Sequence, residues 1–207
     1  MCFSSSVSFA TAGLLAIIGA LTLRQVKNRH QVMFALVPLL FAIQQATEGM
    51  VWLSFTHPLF IPWQAVATRV YLFFAQVVWP AWMPFALLMI EKKAGARWRL
   101  QILGVVGVVV SGLLGASLVL YNVVPQIACN NISYIRDLPY DIGSASFLIY
   151  AIPTLLPFFV SSMPYMWLFG ALVTGALGAS YWFWYHAAGS VWCFFAAALS
   201  AMIVLLI

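Results

Sequence analysis

Long apolar runs, separated by short polar or charged breaks, follow one another along almost the whole sequence. Each run is close to the ~20 residues that a helix needs to cross the hydrocarbon core of a bilayer. We therefore expect an all-α polytopic membrane protein, a seven-transmembrane-helix bundle that forms one domain over residues 1–207. The predicted spans are residues 6–23, 32–54, 68–90, 100–121, 143–162, 166–184 and 189–207.

The composition supports this interpretation, because 65% of the residues are hydrophobic and only 6% are charged. A soluble domain carries about 25% charged residues. The net charge of +5 does not indicate nucleic-acid binding, since the positive residues form short clusters beside apolar runs. Membrane lipid is the expected surrounding, and the first apolar run, which lacks a positive n-region and a cleavage site, is predicted to be a retained span.

The positive residues also predict the orientation of the chain. Seven of the nine Lys and Arg residues follow the first and third spans, and the other two, Arg69 and Arg136, lie on the opposite side. Cytoplasmic loops carry the excess of Lys and Arg. We therefore expect the N-terminus outside and the C-terminus in the cytoplasm.

The second span carries a polar stripe centred on Glu48, with Gln44 at i−4, Trp52 at i+4 and Gln45 beside it. Glu48 would lie about 10 Å below the outer end of the span. A carboxylate at this depth nearly always faces the bundle interior. It would then serve either as a ligand, ion or proton site, or as a packing contact to Gln44 or Arg69, for which interhelical polar contacts contribute about 0.6 kcal/mol on average.

Other polar residues of the predicted outer half extend this candidate site. Asp141 precedes the fifth span, where capping of that helix is the alternative role. His186 lies in an aromatic segment of the kind found at membrane–water boundaries. The candidate ligand-binding residues are Glu48, Gln44, Gln45, Trp52, Arg69, Asp141 and His186.

Two further patterns recur at helical spacing. Small residues occur at i, i+4 and i+8 in Gly107, Ser111 and Gly115, and again in Gly170, Thr174 and Gly178. They predict close helix packing. Prolines occur at i and i+4 in Pro80 and Pro84, and in Pro153 and Pro157. They predict kinked spans, which transporters use at binding sites.

Cysteine spacing matches no metal or haem motif, and the sequence identifies no cofactor. P-loop and H-E-x-x-H motifs are absent from the sequence, and the seventh span has no lysine for a retinal Schiff base. Cys2 and Cys129 are both predicted on the outer side, where oxidation is permitted. A Cys2–Cys129 disulfide is a hypothesis.

Four segments, MCFS, FAIQQATEGMVWL, VVWPAWMPFAL and SVWCFFAAALS, resemble an uncharacterised family of small bacterial multi-span membrane proteins without an assigned activity. The resemblance implies a multi-pass protein of the bacterial inner (cytoplasmic) membrane. It also implies that the following residues belong to the family pattern: Cys2, Glu48, Trp52, Pro80, Glu91 and Cys193.

Three functions remain open at this stage. The preferred hypothesis is a transporter-like protein that binds or moves a small molecule or ion at an outward-facing cavity bordered by Glu48, Gln44 and Arg69. Seven spans with the N-terminus outside also resemble PQ-loop and SWEET-type carriers. The first alternative is a structural or sensory membrane partner, in which the same polar residues serve packing; the sequence leaves the oligomeric state open.

The second alternative is a metal-dependent intramembrane hydrolase, resembling the alkaline ceramidase and adiponectin-receptor superfamily. A catalytic zinc needs three protein ligands. Here His57 and His186 would require completion by Glu48, Asp141 or Cys193, a mixture without the spacing of that superfamily. We therefore do not assign an enzymatic activity from the sequence.

Overall fold

A computed structural model describes residues 4–128, 131–137 and 143–207, and it describes side chains in the same ranges except residues 143–148. The α-helices of this part are α1 (Ser5–Gln25), α2 (Val32–Ala35), α3 (Val37–Thr56), α4 (Gln64–Leu72), α5 (Trp79–Ile90), α6 (Ala94–Leu120), α7 (Gly143–Val160), α8 (Met166–Phe183), α9 (Ala188–Ser200) and α10 (Ile203–Leu206). Short 3-10 turns are Arg29–Gln31, Pro58–Trp63 and Tyr185–Ala187. The strands are β1 (Val123–Ala128) and β2 (Asn131–Arg136).

The described residues contain five helical stretches that are long and apolar enough to cross a membrane. They are Ser5–Gln25, Arg29–Thr56, Pro58–Ile90, Ala94–Leu120 and Met166–Phe183. Ile149–Val160 is a shorter apolar helix of the same kind. The largely helical fold and the apolar composition of these helices are those of a membrane protein.

Three span boundaries differ from the sequence-based expectation. The fourth span begins at Ala94 rather than at residue 100. The third helical stretch begins at Pro58 rather than at residue 68, because the 3-10 turn Pro58–Trp63 leads directly into α4. The final predicted span, residues 189–207, is divided between α9 and α10. The break at residues 201–202 leaves α9 with 13 residues.

The third stretch is irregular where its prolines begin. Between α4 and α5 the chain forms a π-helix at Phe73–Val78, directly before Trp79 and Pro80. Proline has no N–H and cannot continue the ladder of helical hydrogen bonds. The hydroxyl of Ser111 on α6 donates to the carbonyl oxygen of Val77, 2.6 Å away, and so supplies a donor at this irregular turn.

The small-residue stripe of α6 packs as predicted against this region. A Cβ on Gly107 would overlap the carbonyl oxygen of Pro80, and a Cβ on Gly115 would contact Val77 at 3.5 Å. On α8 the corresponding pattern packs in part, because a Cβ on Gly170 would lie 2.5 Å from the Cβ of Phe158. Gly178 has open space around it.

A β-hairpin, which the sequence did not predict, follows α6. Its strands β1 and β2 are antiparallel, and Val123 pairs with Arg136 at the open end. Ile132 on β2 is buried and packs against Val51 and Trp52 of α3 and Ala67 of α4. The hairpin therefore covers one end of the α3–α4 pair.

Arg136 fixes the hairpin to the helices. Its guanidinium donates to the hydroxyl of Ser117 on α6 at 2.7 Å and to the side-chain oxygen of Gln76 in the π-helix at 2.6 Å. Burial lowers the pKa of Arg136. Two charge-assisted hydrogen bonds offset part of the cost of this burial.

Glu91, just after α5, joins two connecting segments. Its carboxylate accepts hydrogen bonds from the backbone N–H groups of Lys92 and Lys93, both at 3.0 Å, and from that of Ser162 at 2.7 Å. The hydroxyls of Ser161 and Ser162 also donate to it. Burial by itself raises its pKa, but these hydrogen bonds outweigh burial and lower the pKa of Glu91 to about 2. Glu91 thus ties the end of α5 to the link between α7 and α8.

Candidate ligand site around Glu48

Glu48 lies in the middle of α3 and is 4% exposed. Its carboxylate accepts a hydrogen bond from the hydroxyl of Ser190. Ser190 belongs to the first turn of α9, where the free N–H groups and the helix dipole favour a negative charge. The contact therefore joins α3 to the N-terminal end of α9, as expected for a glutamate that faces the bundle interior.

Gln44 lies one turn away from Glu48 on the same face and is fully buried. Its side-chain oxygen accepts a hydrogen bond from the indole N–H of Trp79 at 2.7 Å. The ring of Trp79 stacks on Phe41, with 4.0 Å between the ring centroids. The side-chain nitrogen of Gln44 lies within interaction range of the Cys193 thiol but makes no full hydrogen bond among the described residues.

Gln45 and Tyr71 approach the Glu48 carboxylate closely enough to interact with it, but neither polar group reaches good hydrogen-bond geometry with any described neighbour. Tyr134 of the hairpin stacks on Tyr71, with 5.0 Å between ring centroids, and is within electrostatic range of Glu48. Cys193, one turn after Ser190, is buried and faces the same group of side chains. We call Glu48, Gln44, Gln45, Tyr71, Tyr134, Ser190 and Cys193 the polar cluster.

The polar cluster holds most of the buried side-chain polar atoms that lack a hydrogen-bond partner among the described residues. Five of its polar atoms have no hydrogen-bond partner among the described residues: both polar atoms of Gln45, the side-chain nitrogen of Gln44, and the hydroxyls of Tyr71 and Tyr134. Each buried polar group left unpaired costs about 1–3 kcal/mol. Native proteins show only a few such groups per 100 residues, and here five of them are concentrated around one carboxylate.

The described side chains around Glu48 supply no positive charge to balance its carboxylate. Among the described side chains, no Lys, Arg or His pairs with the carboxylate. The groups around it are hydroxyls, amides and a thiol. A buried carboxylate is stable only when it is neutralised by a proton or balanced by a positive charge.

An apolar cavity of about 40 Å³ adjoins the polar cluster. Cys193 and Trp79, the latter the hydrogen-bond partner of Gln44, are part of its wall, together with Phe41, Tyr150 and Trp192. A volume of this size accommodates a few atoms, whereas pockets for drug-sized ligands measure about 300–1,000 Å³. This cavity therefore has room for an ion or for water, and not for a metabolite.

The structure brings some of the sequence-predicted residues together and separates others. Gln44, Gln45, Glu48 and Trp52 are all buried on α3, and the indole N–H of Trp52 also has no partner in the part of the chain that the structure describes. Arg69 is exposed and makes no contact with this cluster among the described residues.

His186 is likewise exposed, at the turn before α9. Asp141 and the proposed Cys2–Cys129 disulfide lie outside the described residues.

Sequence reasoning missed Ser190, Tyr71 and Tyr134 as neighbours of Glu48. Ser190 stands between Gly189 and Val191 in an aromatic segment, where a single serine carries no periodic signal. The only available sign was its place near the start of the last apolar run, at the same predicted outer level as Glu48. In the sequence, Tyr71 and Tyr134 cannot be distinguished from other aromatic residues. Their proximity depends on the hairpin, which places the ring of Tyr134 on that of Tyr71.

The described residues contain no group of three or more His, Cys, Asp or Glu side chains arranged to hold a metal ion. His57 and His186 are both exposed, whereas the Glu48 carboxylate is buried. A zinc site of the hydrolase type would need these histidines to converge on Glu48 or Cys193. The geometry of the described residues does not provide that convergence.

Fold and site together define a helical membrane protein with a buried polar cluster centred on one glutamate. Residues 1–207 match the family of unknown function DUF6629, and the chain belongs to this family. The match confirms the sequence-based identification of an uncharacterised family. No curated protein and no solved structure matches the chain.

Proposed function

We propose that this protein has seven membrane-spanning helices and that it binds a small ion or molecule at an intramembrane site whose principal ligand is Glu48. We further propose that it moves this ligand across the membrane. The observation that carries the proposal is the buried carboxylate, bound by Ser190 and surrounded by unpaired amide and hydroxyl groups. Buried ionisable residues within membrane helices mark substrate or ion pathways. The π-helix next to the site supports the same conclusion, because such turns occur frequently at functional sites.

The proposed topology places the N-terminus outside and the C-terminus in the cytoplasm of a bacterial inner membrane. The distribution of Lys and Arg supports this orientation. Glu91, with Lys92 and Lys93 beside it, would then lie at the cytoplasmic surface, and the hairpin would cover the outer end of the polar cluster. The site is therefore proposed to open toward the outside, past the hairpin.

Native mass spectrometry of the protein released from mild detergent tests the proposal. The variants are Glu48→Gln, which removes the charge at the site, and Asp137→Asn, which makes the same chemical change at an exposed position. We expect a bound mass in the wild type and in Asp137→Asn that is lost in Glu48→Gln. Equal spectra of bare protein for all three, with equal stability, would contradict a ligand site.

A structural or sensory role is the second candidate, and one observation favours it. The hydrogen bonds Ser190–Glu48 and Trp79–Gln44 join α3 to α9 and to α5. If packing were their whole purpose, Glu48→Gln would lower the free energy of unfolding without changing any bound mass. The same set of spectra and an unfolding curve therefore separate the two functions.

A further inference from the structure

The charge balance of the polar cluster restricts the kind of ligand that it can hold. Glu48 contributes one negative charge when ionised, and no basic side chain among those described balances it. The N-terminal end of α9 contributes the equivalent of about half a positive charge. A net deficit of positive charge remains, and a single mobile cation or a proton removes it.

The polar groups around Glu48 are suited to a small, hard cation. Ser190 donates to the Glu48 carboxylate, Gln45 and Tyr71 lie within interaction range of it, and Tyr134 lies within electrostatic range. The polar atoms of Gln45, Tyr71 and Tyr134 make no full hydrogen bond with any described residue. Carboxylate, amide and hydroxyl oxygens are the ligands that hard cations prefer. The described surroundings of Glu48 offer only this one carboxylate.

The charge and the volume exclude the other common ligand classes. A divalent ion such as Ca²⁺ is usually held by several carboxylates, whereas this cluster provides one. An organic amine requires far more room than the adjoining apolar cavity of about 40 Å³, whose wall includes Cys193 but none of the oxygen ligands named above. The ligand that fits both limits carries one positive charge and has the size of a single dehydrated ion.

We infer that the polar cluster is a binding site for a sodium-sized monovalent cation, which replaces the proton of the Glu48 carboxyl group. The inference rests on the function proposed above and names its ligand class. Binding converts the protonated carboxyl to a carboxylate with the cation bound to its oxygens, and the released proton passes to solvent. The other titratable groups that face Glu48 are Tyr71, Tyr134 and Cys193, all of which stay protonated during this exchange.

Infrared difference spectroscopy of the full chain in lipid nanodiscs tests the inference. The protein contains two glutamates, and glutamate labelled with ¹³C on the carboxyl carbon marks only these. Glu91, with a pKa of about 2, is already ionised at every pH used. A labelled band from a protonated carboxyl group therefore reports Glu48 alone.

At mildly acidic pH, we expect NaCl to remove this band in the wild type and in Asp137→Asn. Choline chloride at equal ionic strength should leave the band unchanged. The sodium concentration at half-effect should rise about tenfold for each pH unit below the pKa of the site, because proton and cation compete for one carboxylate. Ser190→Ala retains the carboxylate and should weaken the sodium effect without abolishing it. The wild-type measurement decides the question even if Glu48→Gln does not fold.

A band unaffected by sodium at any pH, or removed equally by choline, would overturn the inference. If native mass spectra still showed a Glu48-dependent mass, the proposed function would stand with a different ligand. If neither experiment showed a Glu48-dependent change, both proposals would fail together.

Discussion

Replacement of Glu91 by glutamine tests whether the contacts of this side chain stabilise the fold to the extent that the structure indicates. The carboxylate accepts hydrogen bonds from the N–H groups of Lys92, Lys93 and Ser162 and from two serine hydroxyls. A glutamine offers one acceptor oxygen instead of two, and its NH₂ group would face some of these donors. Glu91 is 2% exposed, whereas Lys92, Lys93 and Ser162 are exposed, so water can replace part of the lost hydrogen bonding.

The size of the effect follows from the pKa of Glu91. A fall from the ordinary value of 4.5 to about 2 corresponds to at most roughly 3 kcal/mol of folding free energy at neutral pH, and solvent screening beside the exposed donors lowers this figure. Because the pKa is lowered in the folded state, this contribution is fully present above 4.5. It is lost progressively as the pH falls from 4.5 toward 2.

Equilibrium unfolding in mixed micelles, followed across this pH range, measures the difference directly. The wild type should exceed Glu91→Gln by about 2–3 kcal/mol at neutral pH, and the two curves should converge in acid. Asp137→Asn is the matched control and should remain close to the wild type, since Asp137 is exposed. A difference below about 0.5 kcal/mol at neutral pH, or one that does not shrink in acid, would refute the reasoning.

Three further changes and one control substitution test the packing and the hairpin. Gly107→Ala should prevent normal packing of α6 on α5, because its Cβ would overlap a backbone carbonyl, and should destabilise the protein by several kcal/mol in the same unfolding assay. Gly115→Ala should be tolerated, because its Cβ would lie 3.5 Å from the nearest atom of Val77. Trp79→Phe leaves a buried amide oxygen unpaired and should cost about 1–3 kcal/mol in that assay; an unchanged midpoint would contradict the hydrogen bond. Arg136→Gln should raise hydrogen–deuterium exchange in β1 and β2 while the helices keep theirs; uniform protection would show that the guanidinium does not anchor the hairpin.

The helical architecture could be predicted from the sequence because it depends on local pattern. A run of apolar residues must satisfy its backbone polar groups internally in lipid, and a helix does this within one segment. Accordingly, the spans predicted at residues 6–23 and 166–184 closely match the helices α1 (Ser5–Gln25) and α8 (Met166–Phe183). The inward stripe of α3 was predictable for the same reason, since spacing of three or four residues fixes one helix face.

The hairpin and the partners of Glu48 were not predictable in this way. β1 contains Pro125 and shows no regular alternation of apolar and polar residues, so its strand depends on pairing with β2. The choice of Ser190 and Tyr71 as neighbours of Glu48 depends on how α9 and α4 pack against α3. That packing is a tertiary property, and a single sequence carries no periodic signal for it.

An experimental density map of the Glu48 region, at a resolution that reveals ions and water, tests the central claim most directly. The account predicts non-protein density between the Glu48 carboxylate, the Gln45 amide and the Tyr71 hydroxyl, with these groups at ligand distance from it. The contradictory result is a dry interior in which Gln45 and Tyr71 bond to Glu48 and to each other with no space between them. In that case the polar cluster would serve helix packing alone.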